Sequence, residues 1–332
     1  MSLEFLISKI QKNNFLLIGR AGVDIYPDPP GTKTEYAKKY VTHLGGSSAN
    51  MGVQLSKFGG SCTLLSRVSN DALGKFAVNQ LDYYGINKEL VKFEDNESRI
   101  SFAIVETTLE DHQSIIYRHK AADLFLNKSD IDYACIENYK CILITGTSLA
   151  AEPSRGAVLY ALDIAKKKNI PAVMDIDYRP YTWESAEKAK EIYNFAASKC
   201  SGIIGNNDEF GVLSGNNSTG LEYAKKLSLN CDLVIYKMGE KGSVTYADNK
   251  EINKGIFPVN PLKPTGAGDA FMGSFIGALL KNYELEKALD IGSAAAAIVV
   301  TKVGCAPAMP NLEEILKFMR TNTINQGEKL CI

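Results

Sequence analysis

Pro264-Thr265-Gly266-Ala267-Gly268-Asp269-Ala270-Phe271 is a polar, glycine-punctuated turn that runs straight into residues 271–280, an apolar segment long enough for a helix. The small residues at 266 to 268 let backbone N–H groups converge with no side chain in the way. Such groups at a helix start have no intrahelical partner, and with the helix dipole they attract an anion. Asp269 stands at the same spot. An acid beside an anion hole is costly unless it works, and taking a proton from an alcohol while the hole steadies a transferring phosphoryl group is such work. The octamer alone equally fits an ordinary helix N-terminus, where Asp is common.

The strands around it favour the chemical reading. Residues 15–19 form a short apolar run ending in Gly19, the pattern of a buried strand, and Arg20-Ala21-Gly22-Val23-Asp24 follows at its carboxyl end. In open parallel sheets ligands gather beyond the carboxyl ends of strands, so Asp24 is a candidate for a substrate hydroxyl, or else a turn-capping loop residue. Leu44-Gly45-Gly46-Ser47-Ser48-Ala49-Asn50 opens a second helix through small residues, suited to an anion or to close backbone packing. Asn50, one turn inside, offers a polyol both donor and acceptor. Residues 62–68 read as a strand, and Asp71 caps a helix that ends near Gly85. Gly74-Lys75 fails as a phosphate loop of the Walker type, with Ser69 at the leading Gly position and Phe76 in place of Ser or Thr. Residues 100–105 and 114–117 predict a hairpin with one solvated face, an insertion or lid that ends at Arg118.

From residue 141 strand and helix alternate regularly. Strand 141–145 meets a helix with Pro153 in its first turn. Strand 172–177 ends in Tyr178-Arg179-Pro180-Tyr181-Thr182-Trp183, and strand 202–205 ends in Asn206-Asn207-Asp208-Glu209. Strand 233–237 ends in Gly239-Glu240-Lys241-Gly242, and the tail 322–332 is polar and expected to fray. Repeated units of this kind imply a mostly parallel sheet with helices on both faces. Asp24, Arg179, Asn206, Glu209 and Asp269 then share one edge and one cleft. Asn206, Asp208 and Glu209 can order Mg2+ through water, while Arg118 and Arg179 can clamp a carboxylate or phosphate; each Arg alone also fits a surface ion pair. Trp183, the only tryptophan, reads as a packing anchor for the Arg179-Pro180 turn.

Composition narrows the class. The 332 residues are 45% hydrophobic, with a net charge of −1 and no basic block, which argues against a nucleic-acid partner. Seven scattered cysteines without a C-x-x-C pair argue against a disulfide framework or zinc site and point to a reducing cytoplasm. His43, His112 and His119 show no metal spacing. No leader is recognised at the start, and no apolar run is long enough for a bilayer.

Gly45-Gly46-Ser47-Ser48-Ala49-Asn50 and Thr265-Gly266-Ala267-Gly268-Asp269-Ala270-Phe271, in this order and separation, resemble the two signatures of the ribokinase/PfkB carbohydrate kinases over nearly the whole chain. The resemblance implies one ribokinase-like α/β domain over 1–332. It has three layers around a mostly parallel sheet, and a small β-sheet lid built from about 22–44 and 98–118. It also implies ATP-dependent transfer to a sugar hydroxyl. Asp269 is then the base, with Gly266, Ala267 and Gly268 as the anion hole. Asp24, Gly45, Gly46 and Asn50 bind sugar. Asn206, Lys237, Gly239, Gly242 and Ser293 bind nucleotide, and Glu209 with Asp208 serves the magnesium site. Tyr117-Arg118, Asp123, the 177–183 stretch and Gly146-Thr147-Ser148-Leu149-Ala150 resemble the branch that phosphorylates 5-dehydro-2-deoxygluconate in myo-inositol catabolism. Kinases for 2-dehydro-3-deoxygluconate share part of this pattern, and neutral-sugar kinases such as fructokinase or ribokinase are the alternative.

In a six-carbon acid, Arg118 and Arg179 would hold the carboxylate and leave the terminal hydroxyl beside Asp269. Family members commonly carry an Asp, part of a monovalent-cation site, where this chain has Lys263. The Lys263 ammonium is expected to substitute for potassium, or else Lys263 is a surface residue and the site is lost. A homodimer through the lid is also expected. A ligand-binding regulator without chemistry is disfavoured by the intact Asp269 and glycines. A dinucleotide oxidoreductase is disfavoured by Phe271 at the third glycine position.

Overall fold

In the strand Phe15–Ile18 (β1), Phe15 and Leu17 face one hydrophobic core while Leu16 and Ile18 face another. All four side chains are buried, because successive residues of a strand point to opposite faces and this strand has helices over both. The computed structural model describes residues 2–95, 97–108 and 111–325. After β1 come Gly22–Pro27 (β2), Tyr40–Gly45 (β3), Cys62–Ser69 (β4), Val91–Glu94 (β5), Phe102–Val105 (β6), Ser114–Tyr117 (β7), Cys141–Thr145 (β8), Ala172–Asp175 (β9), Gly202–Asn206 (β10), Leu233–Lys237 (β11), Ser243–Ala247 (β12) and Lys250–Lys254 (β13).

Among the described residues nine strands form one sheet in the order β13-β12-β11-β10-β9-β8-β1-β4-β5. It is parallel from β11 to β5, and β12 and β13 add an antiparallel edge. From β1 the chain winds first towards β4 and β5, and later from β8 outward the other way. The crevice between β1 and β8 is therefore the topological switch point where such sheets bind ligands. The expected hairpin exists as β6 paired antiparallel with β7. It joins β2 and β3 in a separate four-stranded sheet, order β3-β2-β6-β7. Its strands fall within residues 22–45 and 102–117.

Several details differ from expectation, among them the strand read over 172–177, which ends at Asp175. Pro153 stands at the N-cap of the helix Ser154–Lys167 and not in its first turn. The tail expectation covers 322–332, of which 326–332 lie outside the described residues. Its first part is not frayed, since Asn325 donates its backbone N–H to the Ile256 carbonyl at 2.8 Å.

One helix pair sets the site. Ser47–Ser56 packs on Ala267–Leu280 through glycines: a Cβ on Gly273 would lie 2.6 Å from Gln54 Cβ, and one on Gly277 would lie 2.5 Å from the Phe58 ring. This close approach brings Asn50 of the first helix to Asp269 of the second. Gly273→Ala is expected to cost about 1–3 kcal/mol by overpacking and to lower kcat by moving the two side chains apart. Denaturant unfolding and steady-state rates measure both, and an unchanged midpoint would mean that the helices yield freely.

Candidate active site

Gly266 takes φ +87°, a left-handed conformation that L side chains disfavour, and caps the helix Ala267–Leu280 without a side-chain hydrogen bond. The free N–H groups of the first turn thus stay available. Asp269, third in this helix, is half-buried in the cleft, and its Oδ2 accepts a hydrogen bond from Asn50 Nδ2 at 3.0 Å. Close protein walls push its carboxyl up to about 8; the charges of Asp177 and Asp175 add to this, and Asn50 and Arg179 oppose it. An Asp that titrates there is a far better proton acceptor than a free one.

Strand ends supply the rest. Asp175 closes β9 and is buried. Asp177, two residues on, is buried and accepts from the Ser47 hydroxyl at 2.6 Å, the Thr147 hydroxyl at 3.2 Å and Arg179 Nη2 at 2.7 Å. These bonds hold its carboxyl below the usual range in spite of burial, Arg179 being the main opposing charge. Burial raises Asp175 and lifts Glu209 to about 7, with Asp175 adding to the latter and Lys237 opposing both shifts. The Lys237 ammonium, at the end of β11, lies 3.5 Å from where a Gly268 Cβ would sit, against the anion hole.

Asn206 and Glu209 form a capping box on the helix Asn207–Ser214: the Asn206 amide oxygen accepts from Glu209 N, and Glu209 Oε2 accepts from Asn206 N at 2.7 Å. Glu209 Oε1 also receives the Tyr178 N–H at 3.3 Å. Asp208 is exposed, takes a hydrogen bond from Asn207 and does not join the buried acids. The sequence-stretch pairing of Asp208 with Glu209 is therefore not a spatial one. Gly239 and Gly242, at φ +58° and +89°, shape the turn from β11 to β12. Ser293 is half-buried on the helix Leu285–Val300, its hydroxyl donating to the Gly255 carbonyl at 3.5 Å.

The sugar side is equally built. Asp24 is buried on β2, and burial raises it to about 6 against the charges of Arg20 and Lys263. A Cβ on Gly45 would meet Asp24 Oδ1 at 2.0 Å, and one on Gly46, which has φ +94°, would meet the Arg20 carbonyl at 2.4 Å. Gly45 leaves room for the Asp24 carboxylate, and Gly46 for the Arg20 carbonyl. Arg118 is buried and its donors are occupied: Nε and Nη2 go to Asp123, and Nη1 goes to the Thr147 carbonyl at 2.7 Å. Arg179 is more open, tied to Asp177 through Nη2, with Nη1 donating to the Tyr178 carbonyl at 3.4 Å. His43 packs on the Tyr26 ring, and Trp183 packs between Tyr193 and the Arg155 guanidinium, as an anchor should.

Lys263 is not a surface residue. It is fully buried, and its ammonium donates to the Thr265 carbonyl at 2.7 Å and the Val299 carbonyl at 3.5 Å, directly behind the anion hole. Asp175, Asp177 and Arg20 were not singled out by the sequence reading. The signal for the two acids was their place at the end of a parallel strand.

Among the described residues no three His, Cys, Asp or Glu side chains converge as a ready metal site. Asp175 and Glu209 nonetheless share one buried region, where burial first and the charge of Asp175 second raise Glu209. Oxygen donors of this kind fit Mg2+, which keeps several waters and binds through one or two carboxylates plus phosphate oxygens.

No described helix is long and apolar enough to cross a membrane. Residues 12–312 match the pfkB family carbohydrate kinase. The chain is 37% identical over 312 residues to a 5-dehydro-2-deoxygluconokinase of Photobacterium profundum, covering 92% of this chain and 94% of the relative. It is 36% identical to the enzyme of the same name from Geobacillus kaustophilus, covering 92% and 93%. Among solved structures, a protein assigned as ribokinase II from E. coli, in complex with ATP and Mg2+, superposes with a TM-score of 0.84 at 23% identity, covering 93% of this chain and 99% of that one. Fructokinase from Vibrio cholerae with fructose, ADP and calcium gives 0.81 at 23%, covering 92% and 99%. With its nine-stranded, mostly parallel sheet, its small second sheet and both glycine-rich helix entries in place, the chain belongs to the pfkB family of carbohydrate kinases.

Proposed function

We propose that the protein transfers the γ-phosphoryl group of ATP to the terminal hydroxyl of a keto-deoxy sugar acid, 5-dehydro-2-deoxy-D-gluconate first among them. The observation that carries the reading is Asp269, a carboxyl held near 8 beside the open N–H groups of the helix that Gly266 caps. In this reading the O6 proton passes to Asp269 as O6 attacks the γ-phosphorus, and ADP leaves in line. The amides of residues 266 to 269 and the Lys237 ammonium stabilise the charge that develops on the transferring group. Mg2+, held through Glu209 and Asp175 by way of water, would neutralise phosphate charge. Asp24, Gly45, Gly46 and Asn50 line the sugar, and Asn206, Gly239, Gly242 and Ser293 line the nucleotide.

Two relatives named for this substrate support the acid over a neutral sugar. So does a cleft with arginines on its sugar side. The four-stranded sheet would close over the sugar, excluding water and limiting ATP hydrolysis. Its exposed Tyr40, Val41, Ile115 and Tyr117 favour pairing with a second copy, and six unpaired described cysteines suit a reducing cytoplasm.

A coupled ADP-release screen over 5-dehydro-2-deoxygluconate, 2-dehydro-3-deoxygluconate, fructose and ribose tests the reading. The first acid is expected to give the highest kcat/KM. A higher value with fructose or ribose would replace the acid by a neutral substrate.

A further inference from the structure

The buried guanidinium of Arg20 keeps one edge unused. Its only hydrogen bond among the described residues runs from Nη1 to the Ser101 hydroxyl at a long 3.4 Å. Nε is sealed from solvent and has no partner, whereas Nη2 makes no hydrogen bond among the described residues and is not sealed. A buried unsatisfied donor on a charged group is costly, and a native fold rarely leaves one without purpose. The charges of Asp24 and Asp177 act across this space, yet neither carboxylate closes a hydrogen bond onto Arg20. The other two arginines differ. Arg118 spends the same Nε–Nη2 edge on Asp123, and Arg179 is committed to Asp177 and is felt by Asp269, the reacting end. Arg20 stands instead beside Asp24, between the end of β1 and the start of β2, and reaches Ser101 just before β6 of the small sheet.

We propose that Arg20 is the specificity residue of this kinase, taking the substrate carboxylate on its unpaired Nη2. The planar guanidinium places the two N–H groups of Nη2 and its charge towards a carboxylate, a fit that a neutral hydroxyl cannot reproduce. The carboxylate also answers the buried charge, so an alcohol in its place leaves the guanidinium without a counter-charge and is rejected. Because Arg20 bridges the main sheet and the small one, the acid end of the substrate joins the two halves of the cleft. This inference rests on the sugar-acid reading above.

The test compares 5-dehydro-2-deoxygluconate with its neutral counterpart, which carries a primary alcohol in place of the carboxylate. Wild type is expected to prefer the acid. Arg20→Met is expected to cut that preference by about 30-fold or more, with the loss in KM for the acid and little in kcat. Arg20→Lys keeps the charge without the planar guanidinium and is expected to raise the acid KM about tenfold; it carries the test if the Met variant fails to fold. A preference retained in both variants, or equal losses on acid and alcohol, overturns the role of Arg20 while leaving the sugar-acid reading intact. A wild type without preference for the acid removes that reading and this proposal together.

Discussion

Asp269→Asn is expected to lower kcat by about a thousandfold, the usual scale for loss of a positioned general base, while the protein becomes more stable above neutral pH. Both effects share one cause. The carboxyl is pushed up to about 8 by burial and by the charges of Asp177 and Asp175, so ionising it in the folded chain is unfavourable. The unfolded chain releases the same proton near 4. Between those values the folded state binds more protons, and stability therefore falls as pH rises. Asp24, raised to about 6, and Glu209, raised to about 7, act in the same direction. Wild-type melting temperature should decline from pH 4 towards pH 8, with a shallower decline in Asp269→Asn and a higher midpoint for the variant at pH 8. In wild type kcat/KM should rise with pH through about 8 as Asp269 loses its proton. A variant that keeps its rate, or melts earlier than wild type at pH 8, would remove Asp269 from this role.

Lys263→Ala is expected to cost about a hundredfold in kcat, comparable to losing one anion-hole donor. Its ammonium sits between the carbonyls of Thr265 and Val299, and Thr265 immediately precedes Gly266. Without a cation these carbonyls lose their common partner, and the loop that presents the anion hole loses its fixed backing. Fully burying a lysine is rare and costs several kcal/mol unless its charge is answered. Here it is answered by backbone oxygens and by the field of Asp24. We read this as an internal cation in place of a dissolved one. Wild type should then be indifferent to potassium against sodium. Lys263→Ala, which opens a space of ionic size, should regain activity with potassium or ammonium ions, and Lys263→Met, which fills it, should not. Steep potassium activation of wild type, or an alanine variant deaf to every monovalent ion, would contradict the assignment.

The sheet was legible because buried parallel strands are continuous apolar runs, and because glycine, Asp and Asn punctuate their ends. The pairing of β2 with β6 was not, since nothing local ties residues 23–25 to 102–104. Asp269 and the two glycine-rich entries could be read because both stand where an apolar helix begins, in one order and separation. Asp208 and Glu209 were read together, yet successive helical residues point about 100° apart, so one is buried and the other faces solvent. Glu209 and Asn206 are three apart and do meet. Asp175 and Asp177 are assigned no role from sequence because a strand-end Asp looks like any turn residue until the sheet sets it beside its neighbours. Arg20 escaped for a different reason: no sequence pattern shows that a guanidinium is buried with an edge to spare.

The position of the transferred phosphorus tests the central claim most directly. A proton-coupled phosphorus NMR spectrum of the product from ATP and 5-dehydro-2-deoxygluconate should show a triplet, the mark of phosphorus on a CH2–O group, in amounts equal to ADP. Inorganic phosphate alone, or an uncoupled acyl-phosphate signal from the carboxylate end, would contradict a base at Asp269 acting on the terminal hydroxyl.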